Sequence, residues 1–188
     1  MTRESAIPAL ANGATLWFTG LPCSGKSTLA FRVGQELQLR GHPVEVLDAD
    51  VLRGTLCRDL GFSKTDRDEN IARIGWVCAA LNRHGVVALA AAVSPYREAR
   101  ARLRLSLPNF VEIYVKAPLR VCMERDVKGL YAKASRGEIA GFTGIDDPYE
   151  EPLAPEVIVE TARMSVEQCT EQILRAIETG NYQQTPAT

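Results

Sequence analysis

The sequence predicts a three-layer α/β fold with a central parallel sheet, and three observations carry that prediction. Short apolar runs alternate with segments of helical period along the whole chain, the order that strand–helix–strand units produce. The run at 86–92 shows no apolar–polar alternation, as expected of a strand covered on both faces. A glycine-rich turn joins the first strand to the first helix. The length of 188 residues fits one domain able to bury a core.

Residues 1–13 read as a flexible lead-in, and Ala14–Thr19 as a short buried strand. Residues 26–40 form a helix, with Leu29, Ala30, Val33 and Leu37 at helical spacing and Gly41 where a C-terminal cap belongs. Residues 43–48 are the next strand, after which Asp50 can cap a short helix reaching Cys57. A longer helix spans 66–84, with Ile71, Ile74, Cys78 and Leu81 on one face. Beyond the strand at 86–92 come an Arg-rich helix (96–107), a strand (110–115) and a helix (118–125). A last strand at 157–159 precedes a helix at 165–178, where Ser165 and Gln168 make a capping-box pattern. Residues 181–188 read as a flexible tail. The exception to this alternation is 128–155, rich in Gly, Pro, Asp and Lys, with one brief helical stretch near 131–136. So long a segment without core structure is either functional or disordered; a mobile lid is expected here.

Composition narrows the function classes. Lys plus Arg is 22 against 23 Asp plus Glu, so there is no basic excess for coating nucleic acid. The five cysteines are widely spaced with no C-x-x-C pair, which suits neither a zinc site nor a disulfide framework and points to a reducing, cytoplasmic compartment. The opening residues MTRESAIPALANG lack the apolar stretch of a signal peptide. The longest apolar run, 86–93, falls far short of the ~20 residues that cross a bilayer.

The segment Gly20-Leu21-Pro22-Cys23-Ser24-Gly25-Lys26-Ser27, followed by Thr28, matches G-x-x-x-x-G-K-[ST] in full. The glycines let the backbone curl so that successive N–H groups cradle phosphate oxygens, and the helix that follows adds its positive end. Lys26 reaches the β- and γ-phosphates of ATP, and the Ser27 hydroxyl is placed to bind Mg²⁺. A strand before and a helix after supply the context that separates this P-loop from a chance match. Asp48 and Asp50 close the second strand, near the carboxyl edge where open α/β sheets hold ligands. A carboxylate there can hold Mg²⁺ or accept the proton of an attacking hydroxyl; the plainer reading is that Asp50 only caps its helix. Arg53, one turn on, can bind a second anion.

From here the chain resembles the adenylylsulfate kinase family of P-loop kinases. The resemblance is carried by GLPCSGKST, DADVLR, LGFSKTDRDENIARI, SPYREAR and RDVKGLYAKASRGEIAGFTGIDDPYE, distributed over most of the chain. It implies transfer of the γ-phosphate of ATP to the 3′-hydroxyl of adenosine 5′-phosphosulfate. It also implies that Arg53, Phe62, Arg67 and Asn70 hold that acceptor, with Phe62 and Phe142 on the two faces of its adenine. Phe62 as ordinary core packing is an equal reading of the residue alone. Lys128, Gly129 and Leu130 would belong to the lid, Arg125 and Met164 to the ATP side, and Val93 and Ser94 to the acceptor side.

Ser94-Pro95 ahead of a helix is also an ordinary cap and first turn. The family has a phosphoserine assigned at this position. Direct in-line transfer, with Ser94 touching substrate, is the expectation; the covalent role is the alternative. A homodimer is expected, and one further reading has the chain as one half of a sulfurylase–kinase system, paired with a separate sulfate adenylyltransferase. Departures from the pattern are Pro22-Cys23, Ala49, Val51 and Val127, none of them a charged or hydroxyl group assigned to chemistry. A kinase for gluconate, shikimate or a nucleotide would share the P-loop but not DRDEN, KGLY or GFTGID. A non-catalytic nucleotide sensor should have lost Lys26, Ser27 or an acidic partner.

Overall fold

The computed structural model describes residues 7–180 and places five strands in one sheet: β1 Ala14–Thr19, β2 Val44–Asp48, β3 Val87–Ala91, β4 Phe110–Lys116 and β5 Val157–Glu160. The order is β2-β3-β1-β4-β5 and every neighbouring pair is parallel. β1 lies at the centre, with Leu16 paired to Leu89 on one side and to Val111 on the other. Because side chains alternate along a strand, β1 feeds both faces. Leu16 and Phe18 join Leu29, Val33 and Leu37 of helix α1 (Lys26–Leu39) and Ile173 and Ile177 of α7 (Val166–Thr179). Trp17 joins Ile71, Ile74 and Cys78 of α3 (Lys64–Asn82) and Leu103 of α4 (Arg97–Ser106). Those are the two outer layers. α3 and α4 approach closely at Gly75, where a Cβ would stand 2.3 Å from Leu103 Cδ2.

The remaining helices are short: α2 Ala49–Leu52, α5 Leu119–Arg125 and α6 Leu130–Ser135. Asp48, not Asp50, caps α2, its side chain accepting from the Asp50 N–H at 2.8 Å, and the helix stops at Leu52 rather than Cys57. The chain leaves β2 at Asp48 itself, so that side chain is the one facing the first free N–H groups. α3 begins before residue 66 because Ser63 caps it, accepting from Asp66 N; the first turn, KTDRDEN, is polar and shows no apolar period. Ser94 does not cap α4, whose N-cap is Tyr96 with no side-chain bond. The capping box of Ser165 and Gln168 is present on α7.

The amino-terminal segment also differs from the expected lead-in. Pro8–Leu10 makes one 3-10 turn, Ile7 and Leu10 are buried in the α1/α7 layer, and Ile7 N donates to His42 Nε2 at 2.8 Å. Two apolar side chains within four residues are enough to dock this stretch. Residues 1–6 and the expected tail at 181–188 lie outside the described residues.

Within 128–155, α6 is followed by turns and one isolated bridge between Thr143 and Asp147. Its second half is tied down by polar bonds. Tyr96 Oη donates to Asp147, Arg97 N to the Glu150 carboxylate, and Tyr149 Oη shares a 2.9 Å bond with Thr19.

Candidate active site

A cleft of about 690 Å³ opens at the carboxyl ends of β1, β2 and β3, the edge where parallel sheets bind ligands. Its floor is the loop between β1 and α1. Gly20 has φ +149°, and a Cβ there would lie 2.4 Å from the Val115 carbonyl oxygen, so only glycine passes this point. Cys23 (φ +60°) and Gly25 (φ +103°) take left-handed conformations that turn the backbone inward. Gly25 caps α1 without a side chain, leaving the first turn to an external acceptor.

Pro22, Cys23, Gly25, Lys26, Ser27 and Thr28 line the cleft. Leu21 packs instead beside the Ala117–Cys122–Tyr131 cluster. Ser24 is fully buried, with its hydroxyl unpartnered. Lys26 is buried, and Nζ donates to the Leu21 carbonyl at 2.8 Å. Burial lowers its pKa to about 8, against the opposing pull of Asp50 and Asp48. Behind the loop, Arg125 donates to the carbonyls of Cys23 and Ser24 and to Thr161, whose hydroxyl donates to Ser24 O at 2.8 Å. Met164 completes this side.

Asp48 and Asp50 line the cleft close enough to Lys26 to oppose its loss of charge. Asp50 pairs with Lys128 at 2.6 Å, and this bond raises the lysine's pKa. Phe62 is 62% exposed, which removes the core-packing reading. The Arg53 guanidinium sits over its ring at 4.4 Å and donates to the Gly61 carbonyl. Phe142 also lines the cleft and meets Tyr131 edge-on at 4.9 Å. Lys128 and Leu130 reach the cleft; Gly129 is the turn between them, in a left-handed conformation at the start of α6.

Arg67 does more than its sequence position suggests. It donates to the Phe62 carbonyl, to Thr143 Oγ1 at 3.0 Å and to the Gly141 carbonyl, so it holds the far half of the expected lid against α3. Asn70, one turn on, is buried with Oδ1 unpartnered where the residue lines the cleft. A buried acceptor without a donor is costly unless something fills it.

Val93 and Ser94 line the cleft beyond β3. Ser94 has φ +41°, a strained conformation for a residue with a side chain. Its hydroxyl donates to Thr19 Oγ1 at 2.9 Å and accepts from Trp17 Nε1 at 3.0 Å. The hydroxyl thus faces inward, bonded to Trp17 and Thr19 with the Ala92 carbonyl 3.3 Å away.

Sequence reasoning missed a buried ion pair under this wall: Arg100 Nε to Glu112 Oε1 at 2.7 Å. Two signals were present. Arg100 lies between Ala99 and Leu103 on the inner side of α4, and Glu112 interrupts the apolar strand FVEIYV. An inward arginine and an inward glutamate ask for each other. Thr19, Thr143 and Tyr149 were also missed; their hydroxyls carry no distinguishing pattern in one sequence.

Comparison with known proteins agrees with this geometry. The profile of the family described as adenylylsulphate kinase matches residues 12–160. The adenylyl-sulfate kinase of Synechococcus sp. (strain JA-3-3Ab) is 52% identical over 172 residues, 92% of this chain and 98% of its own. That of Chloroflexus aurantiacus is 53% identical, covering 93% and 94%. The solved structure of the Mycobacterium tuberculosis APS kinase in complex with AMPPNP and APS superposes with TM-score 0.85 at 41% identity, covering 88% of this chain and 98% of that one. A gluconokinase from Sinorhizobium meliloti shares the fold at TM-score 0.60 and 18% identity. A complete phosphate loop, a two-sided cleft and relatives matched over nearly their full length lead to one assignment: the chain belongs to the adenylylsulphate kinase family of ATP-dependent kinases.

Proposed function

We propose that the cleft transfers the γ-phosphoryl of ATP directly to the 3′-hydroxyl of adenosine 5′-phosphosulfate, releasing ADP and 3′-phosphoadenosine 5′-phosphosulfate. The observation that carries this reading is the cleft's division. One wall is the phosphate loop with Lys26, Arg125 and Met164; the other is an exposed aromatic ring, two arginines and the buried, unpartnered amide oxygen of Asn70. ATP fits the first wall, its phosphates drawing Lys26 away from the Leu21 carbonyl. A second nucleotide fits the other, with adenine between Phe62 and Phe142 and the Asn70 amide turning to meet its edge. Arg53, Arg67 and Lys128 then surround the phosphosulfate.

The donor set suits magnesium. The Ser27 hydroxyl and the Asp48 and Asp50 carboxylates line the cleft beside the phosphate loop. Among the described residues no group of three His, Cys, Asp or Glu side chains could hold a metal ion by itself. When bound, Mg²⁺ would offset charge on the β- and γ-phosphates, with Ser27 and Asp48 holding it and substrate oxygens and water completing its shell. Asp50 is the base that takes the 3′-hydroxyl proton as the oxygen attacks. Lys26 meets the charge on the transferring group, and ADP leaves along the phosphate loop. Ser94 fixes the acceptor wall from behind: its inward hydroxyl, held between Trp17 and Thr19, supports direct transfer over a phosphoserine.

The assembly and setting follow the same reading. A solved APS kinase from Thiobacillus denitrificans, 32% identical, is hexameric, though this chain covers only 30% of it; here a homodimer in the cytoplasm is proposed, fed by a separate sulfate adenylyltransferase. Among the described residues no helix is long and apolar enough to cross a membrane. Residues 14–180 act as the kinase domain, with a lid within 128–155. The test is ADP release with ATP and Mg²⁺, with and without adenosine 5′-phosphosulfate. Release that depends on the acceptor is expected. Acceptor-independent hydrolysis, or dependence on a sugar instead, would overturn the reading.

A further inference from the structure

We infer that Arg100, which lies under the cleft rather than in it, is a positioning residue for the acceptor half of the reaction; the inference rests on the proposed two-nucleotide reading. Its guanidinium is 3% exposed and spends each nitrogen on a different piece of structure. Nε donates to Glu112 on β4, Nη1 to the Ser94 carbonyl, and Nη2 to the Glu150 carbonyl at 2.6 Å. Glu112 fixes the fork, and the fork fixes two backbone carbonyls that belong to no helix or strand.

Those carbonyls are where the acceptor wall and the lid's root begin. Ser94 carries the left-handed backbone at the end of β3, and a bond to its carbonyl holds that strained peptide in orientation. Glu150 roots the segment that runs back through Tyr149 and Asp147. A second strap runs in parallel: Thr19, the last residue before the phosphate loop, donates to the Val93 carbonyl at 2.8 Å and shares its hydroxyl with Tyr149 Oη at 2.9 Å. Glu150 N closes the loop onto the Pro95 carbonyl at 2.8 Å. The Arg100 guanidinium also lies 5.7 Å from the centre of the Tyr149 ring. Acceptor wall and lid root are thereby one body, set in register with the loop that carries the donor.

A planar fork does this and an ammonium cannot, because three diverging bonds need three nitrogens in a plane. Arg100→Lys keeps the charge beside Glu112 and loses the register. Small misplacement of an acceptor hydroxyl is enough to slow transfer by a large factor. Arg104 supplies the comparison. It also pairs with Glu112, and with Glu156, but touches neither the Ser94 nor the Glu150 carbonyl.

The experiment is steady-state kinetics on the wild type, Arg100→Lys and Arg104→Lys, varying each substrate in turn, with thermal melts alongside. The expected result for Arg100→Lys is a KM for adenosine 5′-phosphosulfate raised about tenfold or more and a lowered kcat, with the KM for ATP within about twofold. Arg104→Lys should melt earlier yet keep both KM values. Equal changes in both KM values for Arg100→Lys, or a lowered melt with unchanged kinetics, would overturn the inference. Should Arg100→Lys fail to fold, Glu112→Gln decides: it keeps Arg100 itself but loosens the carboxylate that fixes its fork, is expected to shift the same KM in the same direction, and unchanged constants would count against the inference. Acceptor-independent behaviour of the wild type would instead mean that the functional reading, not the positioning role, had failed.

Discussion

Lys26 illustrates how a single side chain serves by being uncomfortable. Burial holds its pKa near 8, and in the free chain its ammonium rests on a loop carbonyl. The sign follows directly: the charged form is lost as pH rises through about 8, and bound phosphates restore it. ATP binding at pH 9 should therefore take up a proton, seen by titration calorimetry in two buffers of different ionisation enthalpy, and binding at pH 6.5 should not. Lys26→Met should abolish that uptake and lower kcat by on the order of a hundredfold or more, with an unchanged far-ultraviolet spectrum. Asn70 makes the complementary case. Asn70→Ala should raise the KM for adenosine 5′-phosphosulfate far more than that for ATP; equal effects on both would place the amide outside the acceptor wall. The phosphate-loop residues were legible in the sequence because their spacing is dictated by backbone geometry. Ser94 was only half legible. Ser-Pro before a helix reads as a cap, yet the left-handed backbone turns the hydroxyl inward to Thr19 and Trp17.

At the level of elements, the α3–α4 contact is set by the absence of a side chain at Gly75. Gly75→Ala would gain helix propensity but force a methyl into Leu103, with overpacking expected to cost ~1–3 kcal/mol. A lowered urea midpoint at unchanged slope checks this, and Leu103→Ala combined with it should recover part of the loss through non-additivity. The proposed lid segment divides at Gly141. Before that point lie Lys128, Lys133 and Arg136, all exposed; from it onward come the bonds to Arg67, Tyr96, Arg97 and Arg100. Trypsin should cut the free protein after the three exposed residues, and ADP with adenosine 5′-phosphosulfate should protect the cut sites; 142–155 holds no Lys or Arg, so chymotrypsin, which has Phe142, Tyr149 and Leu153 to cut at, is the probe that should spare it. Cleavage indifferent to ligands would leave the segment with no gating role. Composition alone marked all of 128–155 as loose because Gly and Pro suppress secondary structure, whereas the anchoring comes from arginines on α3 and α4 far away in the chain. The extents of β1, β3, β4 and α1 were legible nearly to the residue, since apolar period and length fix them. The polar first turn of α3 was not, since a cap rather than an apolar stripe begins it.

The whole molecule brings the cleft's lining from different strands of one sheet: the phosphate loop after β1, Asp48 and Asp50 after β2, Val93 and Ser94 after β3; under the proposed function these are the donor loop, the base and the acceptor wall. Strand alternation and glycine positions foretold that architecture, while the way one arginine ties β4 to two loops needed the third dimension. Since both ligands bind only the folded cleft, ADP and adenosine 5′-phosphosulfate together should raise the melting temperature more than either alone. Each contributes about 2.7 kcal/mol at a hundredfold excess over its Kd. Equal melts for one and both ligands would show that the two halves of the cleft do not fill together.

The docked amino-terminal turn bears on how this enzyme can be handled at the bench. A sequence-based boundary would start a recombinant chain at Ala14, the first strand residue. That choice deletes Ile7 and Leu10 from the layer between α1 and α7 and leaves the buried His42 without its donor. His42 accepts that bond as the neutral ring, its pKa held below the ordinary value by burial and by Arg40. A chain trimmed at Ala14 should come out of expression less soluble, and an affinity tag belongs ahead of Ile7 with spacing enough to leave the turn seated.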